Sequence, residues 1–597
     1  MSKVLERHEV PQELKWRLED IYATDEQFEQ DLAKAKEVLE EVKTLKGTIN
    51  SSASLLHVLQ KRDELGLLID RLIAYSYMRR DEDNANSKYQ GYADQALTTA
   101  VLANSALSFL DPEILSLEES VVWQWVEEKP ELGIYRHLLH NILRMKAHTL
   151  PAEQEAMLAE AGEMAAAPGT IFNMFNDADL KFPEITDEEG NKIELTHGRY
   201  IQFLESADRR VREEAFTALY TTYEKWKNTL AAMYTSELKQ ARFFAKTRRY
   251  DSALEMALDQ DNVNPQVYHN LIGTIHDHLG LLHKYVELRR EMLGVDELHM
   301  YDLYVPLVAE EKMVVPRDMA VKMVQEGLQA LGEQYLADMN RSFTEGWIDW
   351  LENRGKTSGA YSWGTYGVHP YVLMNYQDNL DNMFTLAHEL GHAMHSYYSN
   401  KHQPFVTAEY TIFVAEVAST VNETLVMRHL LDQTDDKRRR MYLLNHFLEQ
   451  FRGTVFRQTM FAEFELIVHD RVGKGESLTA EQLCQIYYDL NKKYFGDGIV
   501  VDKLIELEWA RIPHFYRPFY VYKYATGFSA AVALAEQILT EGEAARERYL
   551  NFLKSGGSDY PLELLKRAGV DMTTPAPIAS AMAVFGELLA EMEQLSK

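Results

Sequence analysis

Most of the chain shows the hydrophobic periodicity of amphipathic helices. Apolar residues recur three and four positions apart, the spacing that places them on one helix face. An early helix follows Thr24 or Asp25, either of which can act as its N-cap. The longer stretches predicted to be helical are residues 54–110, 112–165, 197–246 and 265–293. The pattern therefore predicts a mainly α protein.

Two segments interrupt this helical pattern. A hairpin is predicted at residues 182–186 and 192–196, with its turn at 189–191. The segment 355–375 holds four glycines and ends in the strand-like run 371–375. A free edge on that strand would let a peptide bind as an added strand. The alternative is a hairpin that only supports the helix after it.

The helix predicted over residues 382–400, with Asp381 as its N-cap, has one apolar face and one face that carries histidines. His388 and His392 are four residues apart, about 40° around the helix and about 6 Å along it, so both imidazoles can bind one metal ion. The alternative is an ordinary amphipathic helix whose histidines face solvent. The apolar stripe lies opposite the histidines and consists of Met383, Leu386, Leu390, Met394 and Tyr397.

Three more residues of this helix have predicted roles. Glu389 lies beside the histidines, where its carboxylate can accept a proton from a metal-activated water. Gly391 costs a helix about 1 kcal/mol relative to alanine, which we attribute to close approach of another backbone; the alternative is neutral drift. His395 lies about 4.5 Å beyond His392 along the axis, so we expect it behind the ligands or in the substrate cleft.

The third metal ligand is predicted in the next helical stretch, residues 407–431. A catalytic zinc site has three protein ligands and one open position. Glu409, Glu416 and Glu423 are the candidates. Glu416 lies among apolar residues, where a carboxylate is costly unless it is paired or bound to metal. The sequence therefore favours one Zn²⁺ ion held by Glu416 and the two histidines.

The sequence blocks around these residues resemble the thimet oligopeptidase (M3) superfamily of zinc peptidases, most closely its oligoendopeptidase F branch. The blocks include His-Glu-Leu-Gly-His-Ala-Met-His at 388–395 and Phe-Val-Ala-Glu-Val-Ala-Ser-Thr at 413–420. The similarity extends upstream to residues 355–362 and 369–375, and downstream to residues 512–516 and 520–527.

The resemblance implies a zinc metalloendopeptidase that hydrolyses internal bonds of short to medium oligopeptides. It implies a mainly α, zincin-type fold with small β elements beside the zinc helix and helical layers around a deep substrate channel. Such a channel would select peptides by length more than by sequence. The domains expected are an N-terminal helical region at 1–110, a second helical segment at 111–198 and a catalytic domain at 199–597.

The downstream block 512–527 is rich in aromatic residues beside His514. In peptide hydrolysis the attacked carbonyl becomes an oxyanion, and preorganised donors lower the barrier by a few kcal/mol. The superfamily uses a histidine and one or two tyrosines for this purpose, which implies His514 and Tyr524 here. The linking stretch is shorter and less glycine-rich than the family's, so Tyr520 and Tyr522 stay open as alternatives.

Charge and composition exclude several classes of protein. With 62 basic and 92 acidic residues the net charge is −30, so we expect no nucleic-acid partner. The single cysteine, Cys484, permits neither an intramolecular disulfide nor a cysteine zinc site. No run of about 18 apolar residues indicates a membrane span, and the charged first residues do not resemble a signal peptide. A soluble cytoplasmic protein is expected, with no indication of its oligomeric state.

Two alternatives to an endopeptidase remain at this stage. A carboxypeptidase or dipeptidase on a related helical fold would use the same metal site but would need a group that holds a substrate terminus. A non-catalytic peptide-binding protein would be expected to lack Glu389 or a ligand, and this chain retains all of them.

Overall fold

The computed structural model describes residues 4–308 and 313–597. Residues 1–3 of the charged N-terminal segment and residues 309–312 of the third predicted domain lie outside this description. Helices dominate the described residues, which confirms the predicted mainly α class. In the described part of the chain, no helix is both long enough and apolar enough to cross a bilayer.

The chain forms two compact units, each built from three separate stretches. Unit 1 consists of Met1–Ala147, Lys312–His429 and Leu534–Gly569. Unit 2 consists of His148–Glu311, Leu430–Ala533 and Val570–Lys597. The three domains expected at 1–110, 111–198 and 199–597 follow chain order instead, and they stay a prediction.

The helices of the first half of the chain belong to the opening stretches of the two units. Unit 1 opens with α1 (Asp25–Lys43), α2 (Ser52–Glu82), α3 (Ser87–Leu107), α4 (Leu110–Ser116), α5 (Glu119–Glu128) and α6 (Arg136–Arg144). Unit 2 opens with α7 (Ala152–Ala165), α8 (Ala167–Asn173), α9 (His197–Leu204), α10 (Arg209–Glu224), α11 (Lys227–Thr247), α12 (Ala253–Asp259), α13 (Pro265–Asp277) and α14 (Leu279–Leu293).

The second half of the chain supplies the remaining helices of both units. Helices that begin in unit 1 are α15 (Arg317–Gly327), α16 (Glu333–Asn340), α17 (Leu380–His402), α18 (Phe405–Ala408) and α19 (Ile412–Asp432). Those that begin in unit 2 are α20 (Lys437–Gln450), α21 (Arg457–Gly473), α22 (Ala480–Phe495) and α23 (Tyr522–Glu541). The chain ends with α24 (Glu543–Leu553), α25 (Pro561–Ala568) and α26 (Ala576–Ser596).

The long helical stretches predicted from periodicity are divided into shorter helices. Residues 54–110 include most of α2, all of α3 and the first residue of α4. After the break between α2 and α3, Asn86 is the N-cap of α3, and its side chain accepts a hydrogen bond from the Lys88 amide. Periodicity does not register such breaks, because α2 and α3 both keep an apolar face and pack against each other. Thr24 occupies the N-cap position of α1, one of the two positions predicted.

The predicted hairpin is present as two antiparallel strands, β1 (Glu184–Thr186) and β2 (Lys192–Glu194). A second sheet in unit 1 has the order β3 (Ile348–Asp349), β5 (Tyr371–Leu373), β4 (Tyr361–Trp363). The predicted strand at 371–375 exists, but it is the central, buried strand and has no free edge. Among the described strands of this sheet, β4 is an edge strand, paired only with β5.

A buried ion cluster attaches the second sheet to the start of the chain. The ammonium of Lys356 is fully buried and donates to Asp349 at 2.6 Å. The guanidinium of Arg7 donates to both carboxylate oxygens of Asp349, at 2.9 and 2.6 Å. A buried carboxylate is tolerated only with such partners, so this cluster holds β3 in one position.

Helix α17 contacts α19 unusually closely. A methyl group on Gly391 would lie 2.5 Å from the Ser419 Cα atom and 2.6 Å from the Ala418 carbonyl oxygen. Beside this contact the buried Asn422 side chain of α19 donates to the Ala387 carbonyl of α17 at 3.1 Å. The predicted reason for a glycine at 391, the close approach of another backbone, is confirmed.

The start of α17 differs from the sequence prediction. The helix begins at Leu380, and its N-cap is Asn379, whose side chain accepts a hydrogen bond from the Asn382 amide at 2.8 Å. Asp381, the predicted N-cap, lies in the first turn, where its negative charge complements the helix dipole. Asparagine and aspartate are equally good N-caps, so the residue type alone does not distinguish the two positions.

We expect Gly391→Ala to lower the free energy of unfolding by about 2 kcal/mol. Helix propensity alone would raise it by about 1 kcal/mol. Forcing a methyl group against backbone atoms, which cannot rotate away, costs up to about 3 kcal/mol. Chemical denaturation measures the difference, and metal affinity should fall as well because α19 carries Glu416 and Glu423.

The matched control is Gly273→Ala in the exposed face of α13, where a methyl group would meet no atom within 4 Å. There, propensity acts alone, and stability should rise by up to about 1 kcal/mol. Equal changes in the two variants would contradict the close-approach argument.

Candidate active site

The two histidines of α17 and one carboxylate of α19 converge on a single point in unit 1. The Nε2 atoms of His388 and His392 are 3.2 Å apart. The Oε2 atom of Glu416 lies 3.4 Å from the first Nε2 and 3.5 Å from the second. These three groups could hold a metal ion, since their ligand atoms all lie within 4.8 Å of one another. Their assignment as ligands stays a prediction.

Glu416 was predicted as a ligand because its sequence neighbours are apolar, but its side chain is not surrounded by apolar residues in the structure. Its apolar neighbours in the sequence are buried on the other faces of α19, whereas the Glu416 side chain itself is 42 % exposed. The side chain lies on the face of α19 that approaches the histidines of α17. Apolar neighbours in the sequence indicate that a helix is largely buried, but they do not show which of its faces is exposed.

The other two candidate carboxylates have different positions. Glu423 lies two turns after Glu416 on α19, and its Oε1 atom is 2.5 Å from Nδ1 of His388. This contact orients the imidazole so that Nε2 faces the metal position, a common arrangement around metal-binding histidines. Glu409 follows α18 and lines a neighbouring cleft. From the sequence, Glu423 was a candidate only for the role of metal ligand. Its seven-residue spacing from Glu416 places both on one helix face, which was the signal that it could contact a histidine.

The charges of this cluster are strongly coupled. Burial lowers the pKa of His388, but its hydrogen bonds with Glu416 and Glu423 outweigh burial and raise that pKa to about 10. Hydrogen bonds from His388 and His392 hold the pKa of Glu416 well below its ordinary value. Without a metal ion, His388 therefore stays protonated at neutral pH.

Glu389 lies next to His388 but takes no part in this hydrogen-bonded cluster. Its side chain is mostly buried, and burial raises the pKa of its carboxyl group. Within residues 4–308 and 313–597 its carboxylate forms no hydrogen bond or ion pair. A carboxylate with a raised pKa and no fixed partner is suited to accept and release a proton.

His395 is a structural residue of this region. It is 1 % exposed, and burial lowers its pKa to about 3. Its ring stacks on Tyr410 at 3.7 Å between centroids, and the Tyr410 hydroxyl is 3.0 Å from the Ser396 hydroxyl. His395 is buried and does not line the adjoining cleft, which contradicts the expected cleft position. The expected position behind the ligands stays a prediction.

A cleft of about 610 Å³ in unit 1 begins at Ser396, one helical turn beyond His392. Ser362 and Trp363 of β4 line one part of it, and Tyr410 lines another. The cleft thus joins the edge strand of the second sheet to the helix that carries the histidines. An extended peptide could occupy it while forming main-chain hydrogen bonds to β4.

The residues predicted to stabilise an oxyanion belong to unit 2. His514 lies in a 3-10 helix, Pro513–Tyr516, and Tyr524 lies in the first turn of α23. The Tyr524 hydroxyl is 3.3 Å from Nε2 of His514, and the Tyr520 ring stacks on the His514 ring at 5.8 Å. Tyr522 is fully buried, so Tyr520 and Tyr524 are the accessible alternatives. Burial, with nearby arginines, lowers the pKa of His514.

Comparisons with known proteins cover the whole chain. Two family models match it: "Peptidase family M3" over residues 202–584 and "Oligopeptidase F" over residues 113–182. Oligopeptidase PepF of Bacillus subtilis is 49% identical over 595 residues, which cover 100% of this chain and 89% of that protein. Group B oligopeptidase PepB of Streptococcus agalactiae is 41% identical over 99% of this chain and 98% of that protein.

A solved structure is also similar. Oligoendopeptidase-F from Enterococcus faecium has a TM-score of 0.75 and 40% identity, covering 96% of this chain and 99% of that chain. A metal cofactor accords with the family and with the His-His-Glu cluster. The resemblance inferred from the sequence motifs is therefore confirmed, and the chain belongs to peptidase family M3.

Proposed function

We propose that the chain is a zinc endopeptidase that hydrolyses internal bonds of short to medium oligopeptides, selecting them by length more than by sequence. The observation that carries the proposal is the cluster of His388, His392 and Glu416 with Glu389 beside it. Membership of family M3 supports a peptidase, and the names of the relatives support oligopeptides as substrates.

Zinc is the metal that the donor set favours. Ligands about 2.0–2.1 Å from a tetrahedral Zn²⁺ lie about 3.3–3.4 Å from one another. The three distances among Nε2 of His388, Nε2 of His392 and Oε2 of Glu416 are 3.2, 3.4 and 3.5 Å. When bound there, Zn²⁺ would supply Lewis acidity, which lowers the pKa of a water molecule and polarises the peptide carbonyl.

Proton transfer in the reaction is assigned to Glu389. Its carboxylate would take a proton from the attacking water and pass it to the nitrogen of the leaving amine. In the metal-free protein, burial raises the pKa of the Glu389 carboxyl group. Glu423 would keep His388 in the orientation that leaves its Nε2 free for the metal.

His514 and one tyrosine are assigned to the oxyanion that forms on the attacked carbonyl. The neutral form of His514 and the Tyr524 hydroxyl are both hydrogen-bond donors. A neutral imidazole has one N–H, so when His514 donates from Nε2 to the Tyr524 oxygen, the Tyr524 hydroxyl is the group left to donate to the oxyanion. Tyr520 remains the alternative to Tyr524. Replacing either tyrosine by phenylalanine removes only the hydroxyl, so kcat of the two variants distinguishes them.

We place the enzyme in the cytoplasm and assign it no nucleic-acid partner. Its only cysteine, Cys484, is buried, so the fold does not depend on disulfides or on an oxidising compartment. The net charge of −30 opposes binding to phosphate backbones.

We expect Glu389→Gln to lower kcat/KM by about 10²–10⁴-fold, because the variant cannot accept the proton of the attacking water. Its zinc content should stay at the level of the unmodified enzyme, since the ligands are unchanged. Asp381→Asn, the same chemical change in the first turn of α17, is the control and should retain activity. Turnover near the original rate in Glu389→Gln would exclude this mechanism.

We expect zinc binding to release about one proton near neutral pH, so zinc affinity should rise as the pH increases toward 10. The sign follows from His388, whose pKa of about 10 in the metal-free protein means that it is protonated below that pH. In Glu423→Gln the pKa of His388 should fall, which reduces both the proton release and the pH dependence. Calorimetry in two buffers of different ionisation enthalpy measures the released protons.

Two variants test the ligand assignment in the same experiments. Glu416→Ala should lose bound zinc, whereas Glu409→Ala should retain it and show the full proton release. Loss of zinc from Glu409→Ala alone would show that the wrong carboxylate was chosen.

Peptides with acetylated N-termini and amidated C-termini distinguish an endopeptidase from an exopeptidase. We expect cleavage of the blocked peptides, a decline of kcat/KM beyond a limiting length, and complete inhibition by a zinc chelator. An enzyme that cuts only unblocked peptides would be a carboxypeptidase or dipeptidase.

A further inference from the structure

Unit 2 contains a cavity of about 900 Å³ to which no role has been assigned. Residues of α11, α12, α13 and α21 line it, together with Phe519 from the segment before α23. It is large enough for a small organic ligand. Three features of its lining indicate what that ligand would be.

The first feature is a buried histidine with an unused hydrogen-bonding atom. His469 of α21 is 6 % exposed and lines the cavity. Its Nε2 atom has no hydrogen-bond partner among the described residues. Burial lowers the pKa of His469 to about 3, so the ring is neutral at physiological pH. A buried polar atom without a partner costs about 1–3 kcal/mol, which a polar ligand in the cavity could offset.

The second feature is the backbone of Phe519. Its φ angle is 58°, a left-handed conformation that is a genuine outlier for a bulky residue. The strained backbone is held by the Phe519 amide, which donates to Glu465 at 2.9 Å, and by the ring, whose centroid lies 4.5 Å from that of His469. Strain of this kind persists only where the surroundings enforce it, and it is concentrated at functional sites.

The third feature is the distribution of charge around the opening. Arg242 and Lys246 are exposed and one turn apart on α11, and Asp251 follows this helix. None of the three forms an ion pair with another residue in the described ranges. Lys474 and Asp470, which also line the cavity, pair with each other at 2.6 Å. The cavity therefore offers two free cations and one free carboxylate.

The apolar part of the lining completes the description of the ligand. Leu254, Leu466 and Phe519 present hydrocarbon surface to the cavity. A molecule that complements the site needs a carboxylate for Arg242 and Lys246, an ammonium group for Asp251 and an apolar side chain. A hydrophobic amino acid or dipeptide with free termini has all three.

We propose that this cavity binds a hydrophobic dipeptide with free termini, next to the segment that carries Tyr520 and Tyr524. Phe519 connects the two, because its ring lines the cavity and the next residue is Tyr520. The interpretation of such a dipeptide as a reaction product rests on the proposed function, whereas binding itself does not.

The test uses the dipeptide Leu-Phe and the intact chain with the Glu389→Gln substitution, freed of metal by a chelator. No turnover is needed, so failure of the proposed function would not affect the result. Calorimetry should detect binding, and Arg242→Ala combined with Lys246→Ala should weaken it by at least about tenfold, as expected when a carboxylate loses its charged partners. Both side chains are exposed, so the variant should fold normally.

Two controls make the result specific. Lys239→Ala removes an exposed cation from the same helix that does not line the cavity, and it should leave binding unchanged. Leu-Phe amide, which lacks the carboxylate, should bind the parent protein as weakly as Leu-Phe binds the double variant. Equal binding of Leu-Phe to the double variant and to Lys239→Ala would overturn the proposal, as would no binding at concentrations up to about 10 mM.

Discussion

The backbone contact between α17 and α19 at Gly391 is the constraint on which the metal site depends. His388 and His392 belong to one helix, and Glu416 and Glu423 belong to the other. Their side chains meet where the two helix backbones lie in close contact. A glycine at the crossing removes the methyl group that would otherwise lie 2.5 Å from the Ser419 Cα atom. A glycine lowers helix stability by about 1 kcal/mol relative to alanine, and this loss accompanies the close contact that brings the side chains of α17 and α19 together.

Around this contact, polar groups fix the two helices relative to each other. Asn422 donates to the Ala387 carbonyl and accepts from the Tyr335 hydroxyl at 3.1 Å, so a buried amide is satisfied from both sides. The next residue, Glu423, contacts the second ring nitrogen, Nδ1, of His388. An orienting partner of this kind limits the freedom of an imidazole, so less entropy is lost when a metal ion binds.

The two units contribute chemistry of different kinds. In unit 1 the important groups are charged and coupled: removal of one carboxylate would change the pKa of His388 and the proton balance of metal binding. In unit 2 they are mainly neutral: a histidine whose pKa is lowered by burial, tyrosine hydroxyls and a strained Phe519 between a cavity and Tyr520. Neutral donors stabilise a developing negative charge without requiring a counter-ion of their own when no substrate is bound.

The sequence alone determined the mainly α class, the family, the histidine pair and the reason for Gly391, because each is written in local spacing or in residue type. It did not determine the start of α17, the buried position of His395, the role of Glu423 or the edge strand of the second sheet. Asn379 and Asp381 are equally good caps by residue type, and the strand-like run at 371–375 does not show which strands lie beside it. Glu416 was predicted from its apolar neighbours in the sequence, yet its own side chain is partly exposed and lies on the face of α19 that approaches the histidines of α17. Periodicity reports which residues share a face, but only the packing of one element against another decides which face is open and what lies across from it.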